Sequence, residues 1–135
     1  EFMAIVVSLE HLAEVNDNPK VKILADTLDT AIECLLKNGK SPMRKVGQLD
    51  NRGSHFYLAM YWAYELASQT EDTTLKATFE KVRADMKAQE NDIISELNNA
   101  QGAAEDVKGY YLPDTITTFA AMRPSTTLNA IIDNI

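Results

Sequence analysis

Apolar residues recur at helical spacing along most of the chain, and no stretch alternates polar and apolar at period two. From Ala4 to Val15 the positions Ile5, Leu9, Leu12 and Val15 predict one stripe, widened by Val6 and Ala13. The signal from 19 to 38 is sharper. Asn18 can cap, Pro19 suits the first helical position, and Gly39 stands where a left-handed residue ends a helix. Between them Val21, Leu24, Leu28, Ile32 and Leu35 share a face. Residues 39 to 53 are rich in turn formers, with Val46 and Leu49 as anchors. A helix from about Ser54 to Ser68 then carries apolar or aromatic residues nearly all round, from Phe56 to Leu66. Such a helix wants burial on more than one side. The longest helix is predicted over Thr73 to Asn99, with Leu75, Phe79, Val82, Met86, Ile93 and Leu97 on one face. Two short helices follow, Thr115 to Met122 and Ser125 to Ile132, split by Arg123-Pro124 because proline disfavours helix in the residue before it. The fold class is all-α: four longer helices plus two short C-terminal ones.

Composition narrows the function. The 135 residues suit one domain with a sizeable core. Thirteen Lys and Arg against 20 Asp and Glu give a net charge of −7, which argues against a dedicated nucleic-acid binder. One cysteine, Cys34, excludes an internal disulfide, and two histidines make a His/Cys zinc site improbable. No apolar run approaches the ~20 residues of a membrane span, and no signal peptide opens the chain, so a cytoplasmic location is expected. Glu1-Phe2 ahead of Met3 reads as a cloning scar, so the natural sequence is expected to run from about Met3 or Ala4 through 135.

Catalytic constellations are missing: there is no HExxH, no Walker loop, and no GxGxxG after a strand. Cys34 and His11 read as packing or surface residues. One region departs from the global charge. Arg44, Lys45, Arg52 and His55 cluster around a single acid, Asp50, on a loop entering a helix near Ser54. Unpaired N–H groups at a helix start favour an anion, and Gly53 would let a phosphate approach. The competing reading is an internal ion pair between Arg52 and Asp50.

At this loop the stretch Lys45-Val46-Gly47-Gln48-Leu49-Asp50-Asn51-Arg52-Gly53-Ser54-His55-Phe56-Tyr57-Leu58-Ala59 closely resembles the C-terminal portion of the monomeric-type NADP-dependent isocitrate dehydrogenases. Ser8-Leu9-Glu10-His11-Leu12 and Leu24-Ala25-Asp26-Thr27-Leu28 precede it as in that family. Glu96-Leu97-Asn98, Ala100-Gln101-Gly102, Gly109-Tyr110-Tyr111, Pro113-Asp114, Ala121-Met122-Arg123-Pro124-Ser125 and Leu128-Asn129-Ala130 follow in order. Met43 and the stretch Ala103 to Val107 depart from the family form.

The resemblance implies a piece of a larger α/β two-domain enzyme that oxidatively decarboxylates isocitrate to 2-oxoglutarate and reduces NADP. Mg²⁺ or Mn²⁺ would hold the substrate through ligands upstream, in an interdomain cleft. This chain would close the cofactor-binding domain, placing Arg44 or Arg52 near the NADP 2′-phosphate. Its partner would be the remainder of the enzyme, with no nucleic acid and no membrane involved. Alone it would be inactive, and self-association through the Ser54–Ser68 helix is expected. The alternative is a stand-alone helical interaction module derived from that enzyme, distinguished by whether the reading frame continues upstream of Ala4.

Overall fold

A computed structural model describes all 135 residues, which form seven helices and no strand. The first, α1 (Phe2–Val15), and the second, α2 (Pro19–Lys37), meet through a three-residue connection. Asp17 adopts φ 47°, and Asn18 N–H donates to Ala13 O while Asp17 N–H donates to Glu14 O. These two bonds close α1 in a Schellman motif. Asn18 then caps α2, its side-chain oxygen accepting from Lys20 and Val21 N–H at 3.1 and 3.4 Å. Gly39, at φ 62°, repeats the Schellman closure at the far end of α2 through bonds to Leu35 and Leu36 carbonyls.

The next helix, α3 (Asn51–Ser68), begins three residues before the position read from the sequence, because Asp50 caps it and accepts from Gly53 N–H at 2.9 Å. It is followed by α4 (Thr73–Ala88), capped by Asp72, and α5 (Glu90–Asn99). The single helix expected over Thr73 to Asn99 is therefore two, broken at Gln89 with neither proline nor glycine present. The break coincides with a change of packing. Whereas α4 lies along the length of α3, α5 touches α3 only briefly, and both α4 and α5 meet the C-terminal helix. Tyr57 Oη donates to Glu90 Oε1 at 3.0 Å, fixing the first residue of α5 against α3. Two short helices close the chain, α6 (Thr115–Met122) and α7 (Thr126–Ile132), with Asp114 and Ser125 as caps.

Consecutive helices α1 to α4 pack in order, and one apolar cluster joins residues from every helix except α6. The stripe expected on α1 is displaced. Val6 and Ala13 are buried, with Phe2 and Leu9 packed against the cluster, while Ile5, Leu12 and Val15 are exposed. Phe2, Val6, Leu9 and Ala13 fit one narrower stripe, which is all that a terminal helix with one neighbour can bury. By contrast α2, between α1 and α3, buries Ile23, Ala25, Thr27, Ala31 and Ile32 on a wide arc. The faces of α3 are covered by α2, α4 and α5, so it is not the exposed apolar helix expected to drive self-association. Exposed apolar surface lies instead on Tyr110, Tyr111, Leu112 and Ile116, each more than 80% accessible. No helix is long and apolar enough to cross a membrane.

Candidate functional site

The basic loop between α2 and α3 folds through local chemistry. Met43 N–H donates to Leu49 O at 2.7 Å, closing the loop at its neck. At the tip Gln48 N–H donates to Lys45 O at 3.1 Å, and Gly47 sits at φ 81°. This is the turn geometry that wants glycine at its third position. Arg44 and Lys45 flank the tip and are exposed, and neither enters an ion pair or a side-chain hydrogen bond. In an acidic chain, two adjacent cations without carboxylate partners stand out.

Arg52 is placed differently. It lies in the first turn of α3, with Nε and Nη2 on Asp50 Oδ2 at 2.9 and 2.7 Å. Its Nη1 donates to Ala121 O at 2.9 Å, linking α3 to the end of α6 across 69 residues. The anion position expected at the helix start is filled by this chain's own Asp50 carboxylate, which accepts from Gly53 N–H. Gly53 is itself buried, and a Cβ there would meet Leu49 Cδ1 at 2.5 Å. Its missing side chain admits the loop, not a phosphate. His55 projects from the exposed side of α3, edge-on to the Phe2 ring at 4.9 Å.

Arg44, Lys45 and Arg52 share one cleft of about 520 Å³. One wall is the loop from Met43 to Val46; the opposite wall is the segment from Ala100 to Ala103; Thr117, Ala120 and Ala121 of α6 form the third side. Asp50 and Glu105 are the acids of its lining. The sequence singled out the cations, but the walls come from residues 50 to 80 positions away, whose sequence signals were the Ala100-Gln101-Gly102 and Ala121-Met122-Arg123-Pro124-Ser125 motifs, neither of which placed them beside the loop. No three His, Cys, Asp or Glu side chains are grouped as ion ligands anywhere in the chain. Cys34 is half-buried in α2 and His11 is exposed on α1.

The family model for monomeric isocitrate dehydrogenase matches residues 1–133. The chain belongs to the monomeric isocitrate dehydrogenase family. It is 56% identical over 132 residues to isocitrate dehydrogenase [NADP] 2 of Colwellia maris, covering 98% of this chain and 18% of that protein. The isocitrate dehydrogenase [NADP] of Azotobacter vinelandii is 52% identical over 132 residues, and isocitrate dehydrogenase [NADP] 2 of Mycobacterium tuberculosis 48% over 133, with the same two shares. The chain thus corresponds to less than a fifth of the length of these isocitrate dehydrogenases, and within it the family's helical segment folds around a core of its own.

Proposed function

We propose that the chain is the part of an NADP-dependent isocitrate dehydrogenase that reads the cofactor's 2′-phosphate. The observation carrying this reading is the pair of unpartnered cations, Arg44 and Lys45, at the rim of a cleft in a chain of net charge −7. A phosphomonoester dianion suits that rim: the Arg44 guanidinium can grip two oxygens and the Lys45 ammonium supplies a second charge. Arg52, held by Asp50 and Ala121, shapes the cleft floor. NADP differs from NAD by this one phosphate, so these groups orient the cofactor and select it without touching the reacting carbons. Oxidative decarboxylation of isocitrate belongs to the remainder of the polypeptide. The residues here do not fit Mg²⁺ or Mn²⁺, since no carboxylates converge. The remainder is also the natural cover for Tyr110, Tyr111 and Leu112, and the enzyme's place is the cytoplasm.

The test is the cofactor preference of the full-length enzyme carrying Arg44→Ala. A lost charge-assisted contact should raise KM for NADP about ten- to a hundredfold and leave that for NAD nearly unchanged. An unaltered NADP/NAD ratio overturns the reading. The 135-residue chain alone should not reduce NADP with isocitrate, and turnover by it would show that the chemistry lies within this segment after all.

A further inference from the structure

The geometry points to Gln101 as a positioning residue for the phosphate-reading loop, a role that rests on the assignment of Arg44 above. Gln101 lies just beyond α5, and its amide spends every polar atom on a bridge between the two walls of the cleft. Its Oε1 accepts from Gly47 N–H at 2.7 Å, and its Nε2 donates to Gln48 O at 2.9 Å. The same Nε2 reaches Asn98 Oδ1 at 3.1 Å, which anchors the side chain to the end of α5. One planar amide thus mimics a strand partner for the turn 45–48 and ties its tip to a segment more than 50 residues away. Beside it Val46 is seated over Gly102, where an added Cβ would approach Val46 Cγ1 to 3.2 Å.

Without this bridge the exposed tip has only its own Lys45–Gln48 bond. Arg44 and Lys45, immediately before and within the turn, would then sample many positions. Binding an anion would require ordering the loop first, and that cost appears as lost affinity. Gln101 touches no ligand in this scheme; it acts through the backbone of residues 47 and 48.

The experiment uses the 135-residue chain and two probes, adenosine 2′,5′-bisphosphate and adenosine 5′-diphosphate, titrated by NMR against wild type, Gln101→Ala and Arg44→Ala. Gln101→Ala should weaken the 2′,5′-bisphosphate about three- to tenfold, leave the 5′-diphosphate unchanged, and speed hydrogen exchange at the Gly47 amide. Equal weakening of both probes would assign Gln101 a purely structural role and overturn the inference. No change with Gln101→Ala, while Arg44→Ala weakens binding, overturns the inference and leaves the phosphate reading standing. No change with Arg44→Ala refutes the phosphate reading itself. Should Gln101→Ala fail to fold, the wild-type chain still decides: an unprotected Gly47 amide means that no bridge holds the loop.

Discussion

Arg44 and Arg52 line one cleft, yet their surroundings give them opposite responses to removal. Arg52 makes three polar contacts, two to Asp50 and one to Ala121 O, with its side chain 21% accessible. A hydrogen bond from a charged donor contributes about 1.5–3 kcal/mol when well buried. The ion pair to Asp50, partly wetted, adds at most about 1 kcal/mol. Both acceptors can rehydrate when the guanidinium is gone, which returns part of that sum. Arg52→Ala should therefore lower unfolding free energy by about 1–2 kcal/mol. The loss should concentrate in α6, which buries no side chain and has no extensive contact with another helix. Arg44→Ala removes no contact and should stay within about 0.5 kcal/mol of wild type. Urea unfolding of both variants, with amide exchange read along α6, makes the comparison. If Arg52→Ala left stability and α6 exchange unchanged, the tie between α3 and α6 would carry no weight. If Arg44→Ala cost as much as Arg52→Ala, its apparent freedom from partners would be wrong.

Other outcomes follow from the same contacts. Glu96 on α5 accepts from Ser125 Oγ at 2.5 Å, Thr127 Oγ1 at 2.7 Å and Thr127 N–H at 3.2 Å, and Ser125 is fully buried. Glu96→Ala should cost about 2–3 kcal/mol in a denaturant titration, and a loss below about 0.5 would refute the cap. Asp17→Gly relieves a left-handed residue at the α1–α2 corner and should add about 0.5–1 kcal/mol; destabilisation would refute that strain. In acid, the Ser125 bond to Glu96, the Lys87 bond to Glu90 and the Thr117 bond to Asp114 all hold those carboxyls below their ordinary range. A depressed folded value means stability is present above the ordinary carboxylate range near about 4.3 and drains away as pH falls below it, so a Tm flat between about pH 6 and 3 would contradict these bonds. In alkali the sign reverses: burial and then the Glu90 bond push Tyr57 up to about 12, so its contribution is intact below the usual 10.0 and lost as pH climbs through that interval. Calorimetry of wild type against Tyr57→Phe reads it.

The helices were legible because their signals are local. Asn18-Pro19 and Gly39 bracket α2 on side-chain chemistry that acts over three or four residues, and the observed caps use those residues. What was not legible depended on neighbours. Ile5, Leu12 and Val15 satisfy helical spacing as well as Phe2, Val6 and Ala13 do, and only the position of α2 decides which set is covered. The break at Gln89 has no proline or glycine to announce it and arises where the extensive packing along α3 gives way to smaller contacts with α3 and α7. The start of α3 was missed because Asp50 reads equally well as a loop acid or a cap, and its pairing with both Gly53 N–H and Arg52 settles the matter only in three dimensions.

The cleft itself shows why one part of the sequence could expose its cations and not its walls. A loop of turn formers carrying Arg44 and Lys45 is anomalous against an acidic background, so charge alone marks it. Apart from Gln101, its opposite wall is Ala100, Gly102 and Ala103, small residues whose value lies in what they leave open. The third side is α6, the one helix that contributes nothing to the apolar cluster, held by Asp114 at its start and by Arg52 at its end. An element so placed is stabilised by polar ties from inside and leaves Ile116, Phe119 and Met122 at least half exposed on the outside. That division has a physical logic. If α6 were seated by its own apolar residues, they would be spent on this core and its outer face would carry no large apolar side chains. Polar anchoring lets one short helix line the cleft with its alanines and keep its large side chains on the outer surface at the same time.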